Sequence, residues 1–158
     1  YAKGNDSEAQ KWLEKALQKQ NALPEANANL GLLALKQGNV DEAEAYIAKA
    51  SSANGLQEVA GNLHLAQGRY AQAEQDFDKV FSNSAALAQI MNKNYAQAEV
   101  TLKYVANPDA TTDYLRAVLN ARTGNNTEAA KALKAAVQKD SSWAQYAARD
   151  IELQNVPK

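Results

Sequence analysis

Residues 30–50 read LGLLALKQGNVDEAEAYIAKA. Small and large apolar residues recur through this stretch at helical spacing, on both sides of a break at Gly38-Asn39. Glycine takes the left-handed conformation that ends many helices at little steric cost, and asparagine is a favoured first residue of the next helix. The stretch therefore predicts two antiparallel helices joined by a short turn, which is a helical hairpin.

The same pattern recurs along the chain, with an alanine five residues after each turn residue. The turns fall at Gly4, Gly38, Gly68 and Gly124, and a weaker copy falls at Lys93. Self-similarity of this kind is typical of stacked repeats, in which each hairpin buries its apolar face against its neighbours. We therefore predict an all-α protein: an α-α solenoid of about five helical hairpins with a C-terminal capping helix.

One repeat domain is predicted to span residues 1–158. Its hairpins cover approximately 1–20, 25–51, 56–81, 84–105 and 112–139, and the cap covers 142–153. The opening residues Tyr1-Ala2-Lys3 read as the last turn of a helix, so one more helix is expected upstream.

The capping helix is predicted to hide the apolar end of the last hairpin, because terminal repeats need a covered face for solubility. Trp143, Tyr146 and Ile151 are the side chains expected to cover it, and residues 155–158 should form a frayed tail. Asn-x-x-Glu boxes at Asn5, Asn39 and Asn125 are predicted to cap three of the second helices.

Bulk composition excludes several function classes. With 17 Lys+Arg, 18 Asp+Glu and a formal net charge of −1, the chain lacks the positive field that attracts a phosphate backbone. Nucleic acid is therefore not an expected partner. No run approaches the ~18 uninterrupted apolar residues of a membrane span, so no direct span is expected in this segment. The chain has no cysteine, which excludes disulfides and thiolate metal sites.

The titratable side chains form no catalytic or metal-binding pattern. His64 is the only histidine, and one imidazole cannot build an ordinary zinc site or a nucleophile–base pair. We predict that it packs, at least half-buried, against the partner helix. The pairs Glu42/Glu44 and Asp76/Asp78 are two residues apart, so on a helix they point to different sides. We therefore predict no enzyme, and we assign no catalytic, cofactor-binding or metal residues.

The hairpin residues resemble the tetratricopeptide repeat, whose pattern is Trp, Leu-Gly and Tyr, followed by Ala, a Phe-like residue and Pro. The second hairpin matches best, at Leu30, Gly31, Gly38, Ala43, Ile47 and Ala50. The third matches at Gly61, Gly68, Tyr70, Ala73 and Phe77. Successive turn residues are 34, 30, 25 and 31 residues apart, against the family's usual period of about 34. The resemblance is therefore to a divergent set of repeats.

A second resemblance concerns location. The sequence, including NPDATT at 107–112 and ARTGN at 121–125, looks like repeat regions of bacterial cell-envelope lipoproteins. This implies a fragment of such a protein in the bacterial cell envelope or periplasm.

The family resemblance implies that a protein or peptide partner binds on the concave face of the first helices. The family's clamp for a terminal carboxylate, made of two Lys, two Asn and an Arg, is absent because only Asn62 matches it. The side chains expected on the concave face are Leu32, Leu35, Glu58, Asn62, Leu65, Leu87, Tyr114 and Val118.

Two functions remain open at this point. The first is a non-catalytic scaffold for protein–protein interaction, whose concave face binds a peptide or a partner protein. The second is a structural spacer in a larger cell-envelope protein, whose inner face is filled by its own side chains and has no groove ligand.

Overall fold

The computed structural model of the protein describes residues 6–19, 23–51, 53 and 55–157. These residues form ten α-helices and no strand, which confirms the predicted all-α fold. The helices are α1 (Asp6–Lys19), α2 (Pro24–Lys36), α3 (Val40–Lys49), α4 (Leu56–Ala66), α5 (Tyr70–Asp76), α6 (Asn83–Met91), α7 (Tyr95–Lys103), α8 (Ala110–Arg122), α9 (Asn126–Lys139) and α10 (Trp143–Arg149). A short 3-10 helix, Ile151–Leu153, follows α10.

Helices that are adjacent in the chain pack as hairpins: α2 with α3, α4 with α5, α6 with α7, and α8 with α9. The alanine five residues after each turn has 0% exposure in all four hairpins, at Ala43, Ala73, Ala98 and Ala129. Such a small side chain lets the second helix approach the first closely. The first hairpin is represented by α1, and its predicted opening turn lies outside the described residues.

The chain divides into two compact units, and the first is Tyr1–Phe77. Helix α2 is the most buried element of this unit, and the buried residues spread over more than one of its faces. Two apolar clusters are among the described side chains that hold the unit together. One contains Ala28, Ala50, Ala53 and Val59, and the other contains Ala34, Ala43 and Leu63.

The second unit is Asp78–Lys158. A single large cluster forms its core, with most of its side chains from α8 and α9 and others from α6, α7, α10 and the C-terminal segment. Ile90, Leu102 and Leu153 are among its most completely buried members. The one-domain interpretation stays a prediction. Helix α5 ends at Asp76, five residues before the predicted end of its hairpin at Phe81.

The predicted turn residues adopt the left-handed conformation wherever the structure describes them. Gly38, Gly68 and Gly124 have φ of 81°, 71° and 83°, and Lys93 has φ of 64°. After each of these residues, the next N–H donates at 2.8 Å to the carbonyl five residues earlier. This is the bond of the Schellman motif, which satisfies a carbonyl left unpaired at the helix end.

Replacing Lys93 with glycine is expected to stabilise the second unit by about 1 kcal/mol, because an L side chain in the left-handed region crowds its own backbone. Thermal or urea unfolding would measure the gain. Glycine in place of Glu99, an exposed residue in the interior of α7, should instead cost about 1 kcal/mol through lost helix propensity. A loss of stability in Lys93→Gly would show that the lysine side chain supports the turn.

The predicted Asn-x-x-Glu capping boxes are wrong where the structure describes them. The side chains of Asn39 and Asn125 accept no bond from the helix amides that follow them. The side-chain Nδ2 of Asn39 instead donates to Glu42 Oε2 at 3.3 Å. The full box is at α8, where Asp109 Oδ1 accepts from Thr112 N at 2.9 Å and Thr112 Oγ1 accepts from Asp109 N at 3.0 Å. Asn5 lies outside the described residues.

The C-terminal cap also differs from the prediction. Tyr146 and Ile151 are 66% and 75% exposed, so they do not cover the last hairpin. Leu153 and Val156 do, with 0% and 4% exposure, so the predicted frayed tail is partly packed. The predicted single helix is two segments, because the backbone is extended at Asp150 between α10 and the 3-10 helix.

Candidate functional site

An open depression of about 450 Å³ lies between α2 and α4 in the first unit. Leu32 and Leu35 from α2 form one wall, and Asn62 and Ala66 from α4 form the other. These two helices are the first helices of consecutive hairpins and pack against each other. Three of the side chains predicted for the concave face are thus brought together here. We call this depression the α2–α4 groove.

Repeat register explains why these side chains meet. Leu32 and Asn62 each lie six residues before the turn glycine of their hairpin, and Leu35 and Leu65 each lie three before it. Residues at equivalent positions of stacked repeats face the same side of the array. Leu32, Leu35 and Leu65 are each half-buried, so part of every side chain stays accessible to a partner.

The polar member of the groove is fixed by its own helix. Asn62 Nδ2 donates to the backbone carbonyl of Glu58 at 2.7 Å, which orients the side-chain amide. No described residue donates to its Oδ1, so this oxygen can accept a bond from a peptide N–H. Glu58, the other polar candidate on α4, is exposed one turn earlier.

One edge of the groove carries an ion pair. Lys36, which also lines the depression, places its Nζ 2.5 Å from Asp6 Oδ2 of α1. Both side chains are substantially exposed, at 61% and 37%. An exposed pair of this kind adds little stability, so its carboxylate and ammonium groups can re-pair with a ligand at small cost.

The remaining candidates belong to the second unit and are arranged differently. Leu87 on α6 is 38% exposed, but Tyr114 and Val118 on α8 are buried, at 8% and 7% exposure. Tyr114 stacks on Trp143 with ring centroids 4.2 Å apart, and its hydroxyl donates to Asp150 Oδ2 at 2.5 Å. Desolvation and this bond raise the pKa of the Tyr114 hydroxyl above its usual value. Tyr114 and Val118 are core residues in this unit.

The side chains that hold the C-terminal segment against α8 were not identified from the sequence. Arg122 on α8 donates to both carboxylate oxygens of Glu152, at 2.9 and 2.6 Å, and to the Ile90 carbonyl at 2.8 Å. The bond from Arg122 lowers the pKa of the Glu152 carboxyl. A signal was present in the apolar spacing of Leu153 and Val156, which places both side chains on one side of a helical turn.

His64 is half-buried, as predicted, and faces the partner helix α5. Its Nδ1 lies 2.5 Å from Asp76 Oδ2. No group of three or more metal-ligating side chains occurs within the described ranges. The part of the chain that the structure describes also contains no helix that is long and apolar enough to span a membrane.

Comparison with known proteins agrees with the hairpin architecture. The tetratricopeptide repeat model matches residues 1–55 and 101–144, which is more than half of the chain. The chain belongs to the tetratricopeptide repeat family. Repeats of this family generally mediate protein–protein interactions, and the fold is generally non-catalytic.

This tetratricopeptide repeat chain is similar to a solved tetratricopeptide repeat protein from Parabacteroides merdae ATCC 43184. The TM-score is 0.66 at 19% sequence identity, and the match covers 89% of this chain and 62% of that one. At this identity the likeness shows the fold alone. The chain spans less than two thirds of the solved protein's length. No curated protein matches the sequence significantly.

Proposed function

We propose that this tetratricopeptide repeat chain is a non-catalytic scaffold that binds a peptide or partner protein in the α2–α4 groove. The observation that carries the proposal is the meeting of Leu32, Leu35 and Asn62 around one open depression. Apolar walls with one oriented amide are typical of grooves that bind peptides, because the walls hold apolar side chains and the amide bonds the backbone.

The proposal predicts that filling the groove abolishes binding without unfolding the protein. Ala66 lines the groove and is exposed, so Ala66→Tyr adds a ring there without overpacking the core. Ala71 is an exposed alanine on α5, and Ala71→Tyr is the matched control. A photo-crosslinker at each position of the protein in cells would identify the partner. Titration calorimetry then measures the affinity of this partner for both variants.

The expected result is a partner that crosslinks from position 66 and not from 71, and whose affinity falls at least tenfold, about 1.4 kcal/mol, in Ala66→Tyr alone. Leu65 does not line the depression, but it is half-buried and occupies the register position of Leu35 in the next repeat. Leu65→Glu should likewise fold and lose the partner, because a carboxylate at a half-buried position beside the groove stays hydrated. Equal binding by both tyrosine variants, or unfolding of Leu65→Glu, would contradict the groove and favour a spacer.

One observation in the second unit supports the spacer function. Tyr114, which was predicted to face a partner, is covered by Trp143 of α10 and bonded to Asp150, and Val118 is buried in the same core cluster. A first-helix face that is filled by its own chain has no room for a ligand. We therefore restrict the proposed peptide-binding groove on the first helices to the first unit, and we propose that the covered face of α8 in the second unit serves as structure.

Placement in the bacterial cell envelope is part of the same proposal. Its support is the resemblance of residues 107–112 and 121–125 to repeat regions of envelope lipoproteins. Fractionation of cells that express the protein, with antibody detection, would test it. Recovery in the cytoplasmic fraction would overturn the envelope assignment and leave the groove untouched.

A further inference from the structure

A second open groove, of about 740 Å³, runs along α9 in the second unit. Ala130, Leu133 and Val137 line it as one apolar stripe of α9, while Ala144 of α10 and Pro157 line it from the other side. The first and last residues of the stripe are seven positions apart, a length of about 10 Å, or two helical turns. We call it the α9 groove.

The α9 groove lies beside α10, on which the repeat pattern would place another helix. Each of α2, α4, α6 and α8 is a first helix that packs against the helix following it. Helix α10 packs against α9 as the next first helix would, but only a 3-10 turn and an irregular segment follow it in the described residues. The second helix of such a hairpin would pack on α10, as α3, α5, α7 and α9 each pack on their own first helix, and α10 is one wall of the groove.

Charge around the groove indicates the chemistry of its occupant. Lys131 and Lys134 lie along its edge, and no carboxylate is among the described residues that line it. Lys131 also places its Nζ 2.6 Å from Glu128 Oε1, one turn earlier on α9. An apolar floor with a lysine edge is complementary to a helix that carries carboxylates beside an apolar stripe.

A second copy of this chain is a poorer fit. The most exposed large side chain of its N-terminal helix is Trp12, at 64% exposure. The surface around that ring carries Lys11 and Lys15 against a single carboxylate, Glu8. Stacking α1 of one copy onto α9 of another would thus bring lysines towards Lys134, and like charges oppose such a contact.

We propose that the α9 groove docks one amphipathic helix with an acidic flank, contributed by a partner protein, which completes a sixth hairpin in trans. The docked helix would lay two or three apolar side chains along the stripe of α9. Its carboxylates would meet the lysine edge. The proposal uses no residue of α2 or α4, so it stands or falls independently of the α2–α4 groove.

The test uses a synthetic helical peptide of about 14 residues, near the shortest length at which isolated helices persist in water. One face carries leucines at helical spacing, with glutamates beside them; a matched peptide carries lysines in place of the glutamates. Amide chemical shifts of the 158-residue chain are followed during titration. The acidic peptide is expected to shift the amides of Ala130, Leu133 and Val137 and to bind at least tenfold more tightly than the lysine peptide, because only the acidic one complements the lysine edge.

Three variants decide the outcome. Lys134→Glu should lower the affinity for the acidic peptide by roughly tenfold, since an attraction between charges becomes a repulsion. Ala144→Tyr, at an exposed position of the groove wall, should abolish binding, whereas Lys11→Glu on α1 should leave it unchanged. The proposal is overturned if neither peptide binds, if both bind alike, if Lys134→Glu binds like the original chain, or if the shifts fall on α2 and α4. If the chain self-associates and Ala144→Tyr blocks this association, the groove binds a second copy, and the proposal is likewise overturned.

Discussion

Replacing Leu153 with alanine is expected to lower the free energy of unfolding by about 3 kcal/mol, through lost apolar transfer and the cavity left behind. Leu153 has 0% exposure and belongs to the same core cluster as Ala147 and Val156, with the 3-10 helix packed on α8. Neighbouring side chains cannot close the gap, because the Arg122–Glu152 pair fixes the segment beside it. Denaturant unfolding followed by circular dichroism, with Trp143 fluorescence in a Trp12→Phe background as a second probe, would measure the loss.

Ile151 provides the matched control for that experiment. It lies two residues earlier in the same 3-10 helix and is 75% exposed. Ile151→Ala should therefore change the free energy of unfolding by less than about 0.5 kcal/mol. A larger loss from Ile151→Ala than from Leu153→Ala would mean that the C-terminal segment is seated with its opposite face towards the core.

Gly61→Ala is expected to destabilise the first unit by about 2 kcal/mol, because overpacking outweighs the gain in helix propensity. A Cβ built at Gly61 would lie 2.6 to 2.8 Å from three ring atoms of Phe77. That ring is 1% exposed, so it has little room to move away. At an unconstrained helix position the same change would stabilise the protein by about 1 kcal/mol, and the sign of the effect is therefore diagnostic.

A double-mutant cycle with Phe77→Leu tests whether contact with the Phe77 ring causes the destabilisation by Gly61→Ala. The smaller side chain should relieve the clash, so the double variant should recover about 1 kcal/mol relative to the sum of the two single losses. Gly31→Ala is a milder comparison, since the new Cβ would meet chiefly the aliphatic Ile47 side chain, at 2.8 Å. Strict additivity of Gly61→Ala and Phe77→Leu would place the strain elsewhere in the helix.

The hairpins could be predicted because their signals are local. A left-handed turn residue and a buried alanine five residues later fall within two helical turns, so the sequence around Gly38 or Gly124 carries them completely. The capping boxes failed although they too are short motifs. Backbone geometry is not the reason, because Asn94 has nearly the same ψ, 68°, and its side chain accepts from Gln97 N. The side-chain amides of Asn39 and Asn125 instead donate to Glu42 Oε2 and Thr123 Oγ1, and helical spacing alone does not reveal that choice.

Only the candidate residues in the first unit could be predicted from the sequence. Leu32, Leu35 and Asn62 follow from repeat register, which depends on spacing alone. Helical spacing does not distinguish a groove residue from a core residue, however, and the fate of Tyr114 depends on what covers it. That cover is held by the bonds of Arg122 to Glu152, which is 30 residues away. No local pattern encodes a contact at that separation.

The pairing of each helix mainly with its neighbours in the chain also bears on how quickly the protein folds. Most contacts join helices that are one or two places apart in sequence, such as α2 with α3 and α2 with α4. Closing such short loops costs little entropy, and chains dominated by local contacts fold in about microseconds to milliseconds. We therefore expect hairpins to form as they leave the ribosome, without waiting for distant segments, so that little apolar surface is left uncovered during synthesis.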